Sequence, residues 1–561
     1  MKKITILISL ILLCWTVPVW SATQTIRYID PSGADTGDCT DIGNPCKSMS
    51  YVDGLMDQND ITYARGGTYT DTTDYFKTAA SGTASEPITF AAYTGETPIF
   101  RALGDNWSGS ERRIFHIAHD YWVFDGLQLK PTASTTISHP IHLTGSYNVL
   151  KNLQLEGATI SASNYSFDRF IYLDGGNYNE IYNSSFTKVA DHNEQYCDSG
   201  YGIQVYGDYN RFHDNSLSLS GHDVMGPWNG GNYNEFFDNT VTNGVGYGIF
   251  ANSGNSRNIF HHNNISGCGC PDGYAKGGVY IKGSYNITRY NSLWDNSRGT
   301  DHDTAGDNNY WYNNVSYAND EDGHHGWTGS TADIFYNNVY MKNMLVSGIC
   351  PSAPDDYYAN VVEGSTYSAK WENNFIIDWN GSSWVDDSAC AVYADSNQKS
   401  VSSKESTDGD WQNNVYNYSD PKFVDADNGD FTIQAGSSLI DQGRDLTTTN
   451  GSGSSSSTLI VDDAGFFWYS AIDSTGDQII INADTSKTAT ITAINYGTST
   501  LTITPELSWS DGWSVNLYKS FSDSSTVLFS GSAPDIGAYE YESAATAPTI
   551  SSATIVGGVI Q

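Results

Sequence analysis

Between residues 145 and 340 one short phrase returns eight times: GSYNVLKNLQL, GNYNEIYNSSF, GDYNRFHDNSL, GNYNEFFDNTV, GNSRNIFHHNNI, GSYNITRYNSL, GDNNYWYNNV and STADIFYNNV. Anchored on the Asn that follows the Tyr, the copies fall at Asn148, Asn179, Asn210, Asn234, Asn258, Asn286 and Asn309, then Asp333. The intervals are 31, 31, 24, 24, 28, 23 and 24 residues. A unit of this size, made of short β-rich pieces with no helical period, can bury its apolar face only by stacking on its neighbours. The chain therefore reads as a solenoid. A second Asn recurs five residues past the anchor, at Asn215, Asn239, Asn263, Asn291, Asn314 and Asn338. Amides stacked at one turn bond from coil to coil, so these residues read as a structural ladder.

Composition agrees with short strands and many turns: hydrophobics are only 39%, and 54 residues are Gly. The coils, the opening IRYIDPSGADTGDCTDIGNPCKSMSYVDGL with its ARGGTYT, and the closing DPKFVDADNGDFTIQAGSSLIDQG with APDIGAYEY carry a resemblance. The chain resembles the right-handed parallel β-helix proteins of the pectate-lyase-like superfamily over most of residues 25–445 and 530–542. That resemblance implies an all-β, right-handed parallel β-helix. It is specific for fold and export and weak for activity, because such proteins include polysaccharide lyases, glycoside hydrolases and adhesins.

The expected organisation begins with a signal peptide over 1–22, where Lys2 and Lys3 precede an apolar run ending at Ser21–Ala22. Leu13 is too bulky for lipoprotein cleavage before Cys14. The β-helix is expected over 23–445, and a linker with a small β-barrel-like insertion over 446–530. The chain returns to the closing motif at 531–542, and a tail follows at 543–561. The insertion reads as structural. No later run is apolar enough to span a membrane. The protein is expected to be secreted and monomeric, in a compartment where disulfides persist. Cys39 and Cys46 are the best-placed pair, while Cys197, Cys268, Cys270, Cys350 and Cys390 form an odd set that leaves one thiol free or paired outside.

Charge narrows the partner. With 64 acids against 27 bases the net charge is −37, which argues against nucleic acid. A polysaccharide partner fits, and a polyanionic one needs a bridging cation such as Ca²⁺.

Strand alternation sorts the faces. Ile203, Val205, Val279, Ile281, Ile141 and Leu143 are expected inside. Six residues before each anchor lie His142, Gln204, Trp228, Asn252, Tyr280, Asp303 and Trp327, which read as one outward strip suited to a sugar groove. Two positions earlier come Phe250, Asp301 and His325; two later come Tyr206 and Lys282. The preceding loop is expected to form a rim of His and acids: Asp191–His192, His222–Asp223, Asp272, Asp301-His302-Asp303, Glu321–Asp322 and His324–His325.

Three functions fit these groups. The leading one is Ca²⁺-assisted β-elimination on a uronate-containing polysaccharide. Asp301, Asp303, Glu321 and Asp322 would hold the ion, and Lys282 would be the base with Lys276 second. A lysine base needs its charged form disfavoured by a nearby cation or burial, so this reading leans on the metal. The second is hydrolysis by a carboxylate pair, Asp301 or Asp303 with Asp223 or Asp322 opposite. The third is a non-catalytic glycan-binding or surface protein whose aromatic strip alone matters.

Overall fold

The computed structural model describes residues 23–542 less 71–75, 102–112, 131–138, 158, 162–163, 166–168, 188–200, 219–222, 271–275, 304–305, 328, 330, 344–358, 365–366, 380–382 and 395–396, with a further strand pair at Ile555–Val556 and Val559–Ile560. The expected leader lies outside these residues, as do Asp191–His192, His222, Asp272, Cys197 and Cys350.

Each coil contributes three short strands, and each strand pairs with its counterpart in the next coil. Three long sheets result, parallel throughout except for one terminal antiparallel strand in two of them. The back sheet has 14 strands, from Ile26–Ile29 to Trp411–Gln412. The front sheet has 13, from Phe76–Lys77 to Asn397–Lys399. The side sheet has 13, from Gly67–Thr70 to Trp384–Val385. This is a parallel β-helix, as the repeat implies. Its core is a set of rows in register, such as Phe212, Phe236 and Phe260, whose rings stack at 4.9 and 5.3 Å. The row continues through Trp311, Phe335, Trp371 and Trp411.

The repeated Asn residues are ladders. At the anchor turn each backbone N–H donates to the side-chain oxygen of the next coil, from Asn148 to Asn179 at 2.9 Å, Asn179 to Asn210 at 2.8 Å, and onward until Asn309 donates to Asp333 at 2.7 Å. The second ladder runs from Ser184 through Asn215, Asn239, Asn263, Asn291, Asn314 and Asn338 to Asn374 and Asn414. A third, shorter one joins Asn296, Asn319 and Asn343 at the turn into the front sheet. Each buried amide thus satisfies backbone donors that a tight turn would otherwise leave unpaired.

The residue before each anchor takes a left-handed backbone: Tyr147, Tyr178, Tyr209 and Tyr233 have φ of 59°, 56°, 56° and 57°. Bulky side chains resist this conformation. Here the rings recover contact by stacking at 4.9–5.0 Å, with interplanar angles of 1–9°.

Cys39 and Cys46 form a disulfide, Cys268 is a buried free thiol, and Cys270 and Cys390 are also disulfide-bonded. Among the described residues no helix is long and apolar enough to cross a membrane.

A six-stranded antiparallel sheet, built from strands between Thr447 and Lys519, lies against the outer side of the back sheet. Phe466, Phe467, Trp468 and Phe521 share an apolar cluster with Phe237, Ile259, Ile287 and Tyr312. Within this contact Arg289 makes a two-pronged pair with Asp477, both bonds 2.7 Å, with neither side chain exposed. Arg211 bonds Ser470 and Asp473, and Trp468 donates to Glu235 at 2.9 Å. Breaking a buried ion pair strands the surviving charge. Arg289→Met is therefore expected to lower unfolding stability by about 3–5 kcal/mol. Arg65→Met, which removes the half-exposed pair with Glu96, should cost about 1 kcal/mol or less. Denaturant titration of both variants checks the contrast, and equal losses would refute it.

Candidate active site on the front sheet

The small sheet covers part of the back sheet, and the front sheet carries most of the charged and aromatic residues singled out in the sequence. Strand register arranges its outward residues in three rows along the solenoid. The middle row reads Lys77, His116, His142, Tyr172, Gln204, Gly226, Phe250, Tyr280, Asp301, His325, Val362 and Tyr393. Three residues earlier in each strand lies a second row, with Arg169, Tyr201, Asp223, Tyr247, Gly277, Arg298 and Asp322 in register. Two residues later comes a third, just past the strand ends, with Asp174, Tyr206, Trp228, Asn252, Lys282, Asp303 and Trp327.

A step of three between outward residues breaks strict alternation, and a glycine explains it. Gly299 turns inward beside Thr300, where a Cβ would meet Ser316 Oγ at 2.0 Å, so Arg298 and Asp301 both emerge on the same side. Gly248 sits alike, its Cβ position 2.4 Å from Ile265 Cγ2.

At the C-terminal end of this face two clusters meet. In the first, Lys282 Nζ lies 2.8 Å from Asp303 Oδ2, and the Tyr280 hydroxyl donates to the same carboxylate at 2.5 Å. The ammonium also sits 5.1 Å from the Tyr280 ring centre and 5.9 Å from that of Phe250. Burial, then the charge of Asp301, pushes the Tyr280 phenol far above its ordinary value, so it stays a donor. In the second, Arg298 lies among three carboxylates: Asp301 at 3.0 Å, Asp322 at 3.2 Å and Glu321 at 3.4 Å. Trp327 Nε1 donates to Asp301 at 2.7 Å, and His325 Nδ1 lies 2.8 Å from Asp322. Burial raises Asp301, and it raises Glu321 and Asp322 to about 7 against the pull of Arg298. Burial, then Arg298, lowers His325 to about 3, leaving it neutral.

Several sequence expectations change. The single strip is two rows, with Gln204 and Tyr280 in the middle row and Trp228, Asn252, Asp303 and Trp327 beside it. The reason is turn length: six residues separate Gln204 from Asn210 and Tyr280 from Asn286, but eight separate Asp301 from Asn309 and His325 from Asp333. An even difference preserves the face and shifts the row. The rim is not a loop either, since Asp223, Asp301, Asp322 and His325 are strand residues. His302 and His324 point into the solenoid. There His302 Nδ1 lies 2.8 Å from Asp333, and His324 Nδ1 lies 2.8 Å from Thr300 Oγ1. Alternation after the glycine of each strand, Gly299 for His302 and Gly323 for His324, puts them inside.

The expected calcium ligands are not gathered round one point. Asp301, Glu321 and Asp322 surround a guanidinium, and Asp303 faces Lys282; among the described residues no group of three or more acid, His or Cys side chains is arranged to hold a metal. Lys276 and Gln204 are both buried. Arg298 is the central residue that sequence reasoning missed. Its signal was the glycine just before the inner residue in Gly202, Gly248, Gly278, Gly299 and Gly323.

By fold the chain is a parallel β-helix, and its front sheet is lined with charged and aromatic side chains. The chain is similar to two curated pectate lyases. Over 112 residues, 18% of this chain, it is 33% identical to pectate lyase PEL9 of Emericella nidulans and spans 27% of that protein. It is 23% identical over 342 residues to pectate lyase L of Dickeya chrysanthemi, covering 58% of this chain and 72% of that one. Among solved structures, pectate lyase Pel9A is similar at TM-score 0.43 and 17% identity, covering 77% of this chain and 94% of that one. No family model matches the chain.

The raised carboxylates have a pH consequence. A folded value above the ordinary one means that the stability contributed is full below about pH 4 and is lost as pH rises through about 7. Asp322→Asn removes that loss. The variant's melting temperature relative to the parent is expected to be higher at pH 8 than at pH 5; a pH-independent difference would contradict it.

Proposed function

We propose that this chain is a secreted polysaccharide lyase that cleaves a uronate-containing polysaccharide by β-elimination on the front sheet. Lys282 carries the reading. It is a basic nitrogen with 29% of its side chain exposed, set over two aromatic rings and tethered by Asp303. In this scheme substrate docking draws Asp303 away and buries Lys282, which disfavours the ammonium, and the neutral amine so formed removes the proton on C5 of the uronate. The electron pair forms the C4–C5 double bond as the bond from C4 to the bridging oxygen breaks, and that oxygen takes up a proton. The exposed Trp327 ring and the half-buried Trp228 ring supply stacking surfaces for sugars.

Elimination also requires a cation facing the substrate carboxylate. Calcium on Asp301, Asp303, Glu321 and Asp322 does not fit the arrangement of these groups, which surround Arg298 and Lys282 instead. Arg298 fits the need. Glu321 and Asp322, both raised to about 7, take up protons as pH falls through neutrality, so the offset of its charge weakens on the acid side. Export follows from the leader-like N-terminus and accords with the disulfides.

One observation favours hydrolysis instead: Glu321, raised to about 7, has the protonation a general acid needs. A panel of acidic and neutral polysaccharides separates the readings. New unsaturated ends, read by ultraviolet absorbance, mark elimination. Reducing ends without them mark hydrolysis, and binding without either marks a scaffold. Lys282→Ala is expected to lower turnover by about 10²–10⁴-fold; full activity in that variant would remove Lys282 from the role. Activity is expected to survive exhaustive chelation. Complete loss restored by calcium would overturn the role given to Arg298.

A further inference from the structure

The small antiparallel sheet carries a feature that a purely structural insertion does not need. A cavity of about 280 Å³ opens at the seam where the chain leaves this sheet for the closing motif. That is close to the lower end of the about 300–1,000 Å³ usual for small-molecule sites. Its buried lining comes from Ile480 on the strand Gln478–Ile481 and Phe529 on the returning segment, 1% and 3% exposed.

An irregularity in the sheet builds this cavity. Gln478 pairs with Lys519 and Ile479 with Leu517, so Tyr518 is an extra residue with no opposite number. A bulge of this kind frees one residue from the ladder and re-aims its side chain. The Tyr518 carbonyl instead accepts the backbone N–H of Leu528 at 2.8 Å, which brings Val527 and Phe529 alongside the strand as a second wall. That wall is pinned. Ser530 N–H donates to Glu540 Oε1 at 2.6 Å, and Ser532 N–H donates to Asp441 Oδ1 at 2.6 Å. Another edge is a turn in which Asn482 and Ala483 both take a left-handed backbone, with φ of 57° and 51°. Glycine adopts this conformation freely and alanine resists it. Here the alanine puts a methyl group on the edge of the cavity.

The lining suits one kind of guest. Its apolar surface and the Tyr518 ring match the C–H face of a pyranose, while the hydroxyls of Thr485, Tyr518 and Ser530 and the Glu542 carboxylate match sugar hydroxyls. Among the described residues that line the cavity none is a lysine, arginine or histidine. A uronate or a phosphate would meet Glu542 with no cation to offset it, in a chain of net charge −37. A cavity, unlike a groove, receives the end of a chain or a branch.

We infer that this cavity binds a terminal, uncharged sugar unit, so that the insertion is a carbohydrate-binding device carried on the back of the solenoid. The enclosed Arg289–Asp477 pair fixes the small sheet to the back sheet, and a chain end bound there is held in place relative to the coils. The inference does not depend on which reaction the front sheet performs.

The test uses the full chain and four neutral probes, the methyl glycosides of glucose, galactose, mannose and xylose. The methyl glycoside of galacturonate is the acidic control. Ligand-observed NMR titration is run with and without Tyr518→Ala. At least one neutral probe is expected to bind, and Tyr518→Ala to lower its affinity by about ten-fold. Thr485→Trp, which fills the cavity from an exposed position, should do the same and serves alone if Tyr518→Ala misfolds. The acidic control should bind more weakly than that probe and be unmoved by either substitution. Failure of all four neutral probes to bind overturns the inference, as does equal affinity with and without the substitutions. A matching loss for the acidic control also overturns it, since the cavity would then not discriminate charge.

Discussion

The backbone N–H to side-chain amide bond at the anchor turns is the interaction on which the rest depends. A solenoid of short strands has no hydrophobic centre to organise it, and each coil must find the register of the next. Two long columns of buried amides impose that register at fixed turns, from Asn148 to Asp333 and from Ser184 to Asn414. Once the turns are pinned, the inner rows of Phe, Leu and Ile coincide. The outward rows then carry their side chains at constant height. The front face is therefore as ordered as the core, although its residues vary from coil to coil.

The same kinds of charged group serve opposite ends on the two sides of the solenoid. On the back, Arg289 and Asp477 are wholly enclosed and matched, and they hold the small sheet in place. On the front, Arg298 has carboxylates enough to hold it but not to neutralise it at all pH values, because burial pulls those carboxylates toward their protonated forms. A matched buried pair fixes structure; an unevenly matched one, beside open space, leaves a field that a ligand can answer. By this distinction the Lys282 and Arg298 clusters are where the proposed chemistry is set.

Much of this was legible in the residues themselves. The period gave the solenoid, the Asn five past each anchor gave a ladder, and alternation assigned Ile203, Val205, Val279 and Ile281 correctly to the interior. Lys282, Asp301 and Asp303 were also placed rightly on the outer face. What escaped was metric. Counting back from a fixed anchor assumes a constant turn, and a two-residue difference merged two rows into one. The bends at Gly299 and Gly323 hid Arg298 and the inward turn of His302 and His324, because a glycine that packs its backbone against the core gives no apolar signal. Some partners also lie a full coil away, so Arg298 and Asp322 could be joined only once the strands were aligned.

The column of left-handed tyrosines has a consequence beyond packing. Tyr121, Tyr147, Tyr178, Tyr209 and Tyr233 lie face to face at 4.8–5.0 Å, one chromophore per coil. Transitions of identical rings held so closely and so nearly parallel couple to one another. The coupling vanishes wherever one coil slips or frays. The column is thus an optical gauge written into the chain: its near-ultraviolet circular dichroism reports how many consecutive coils are wound in register, independently of whether the face opposite has bound anything.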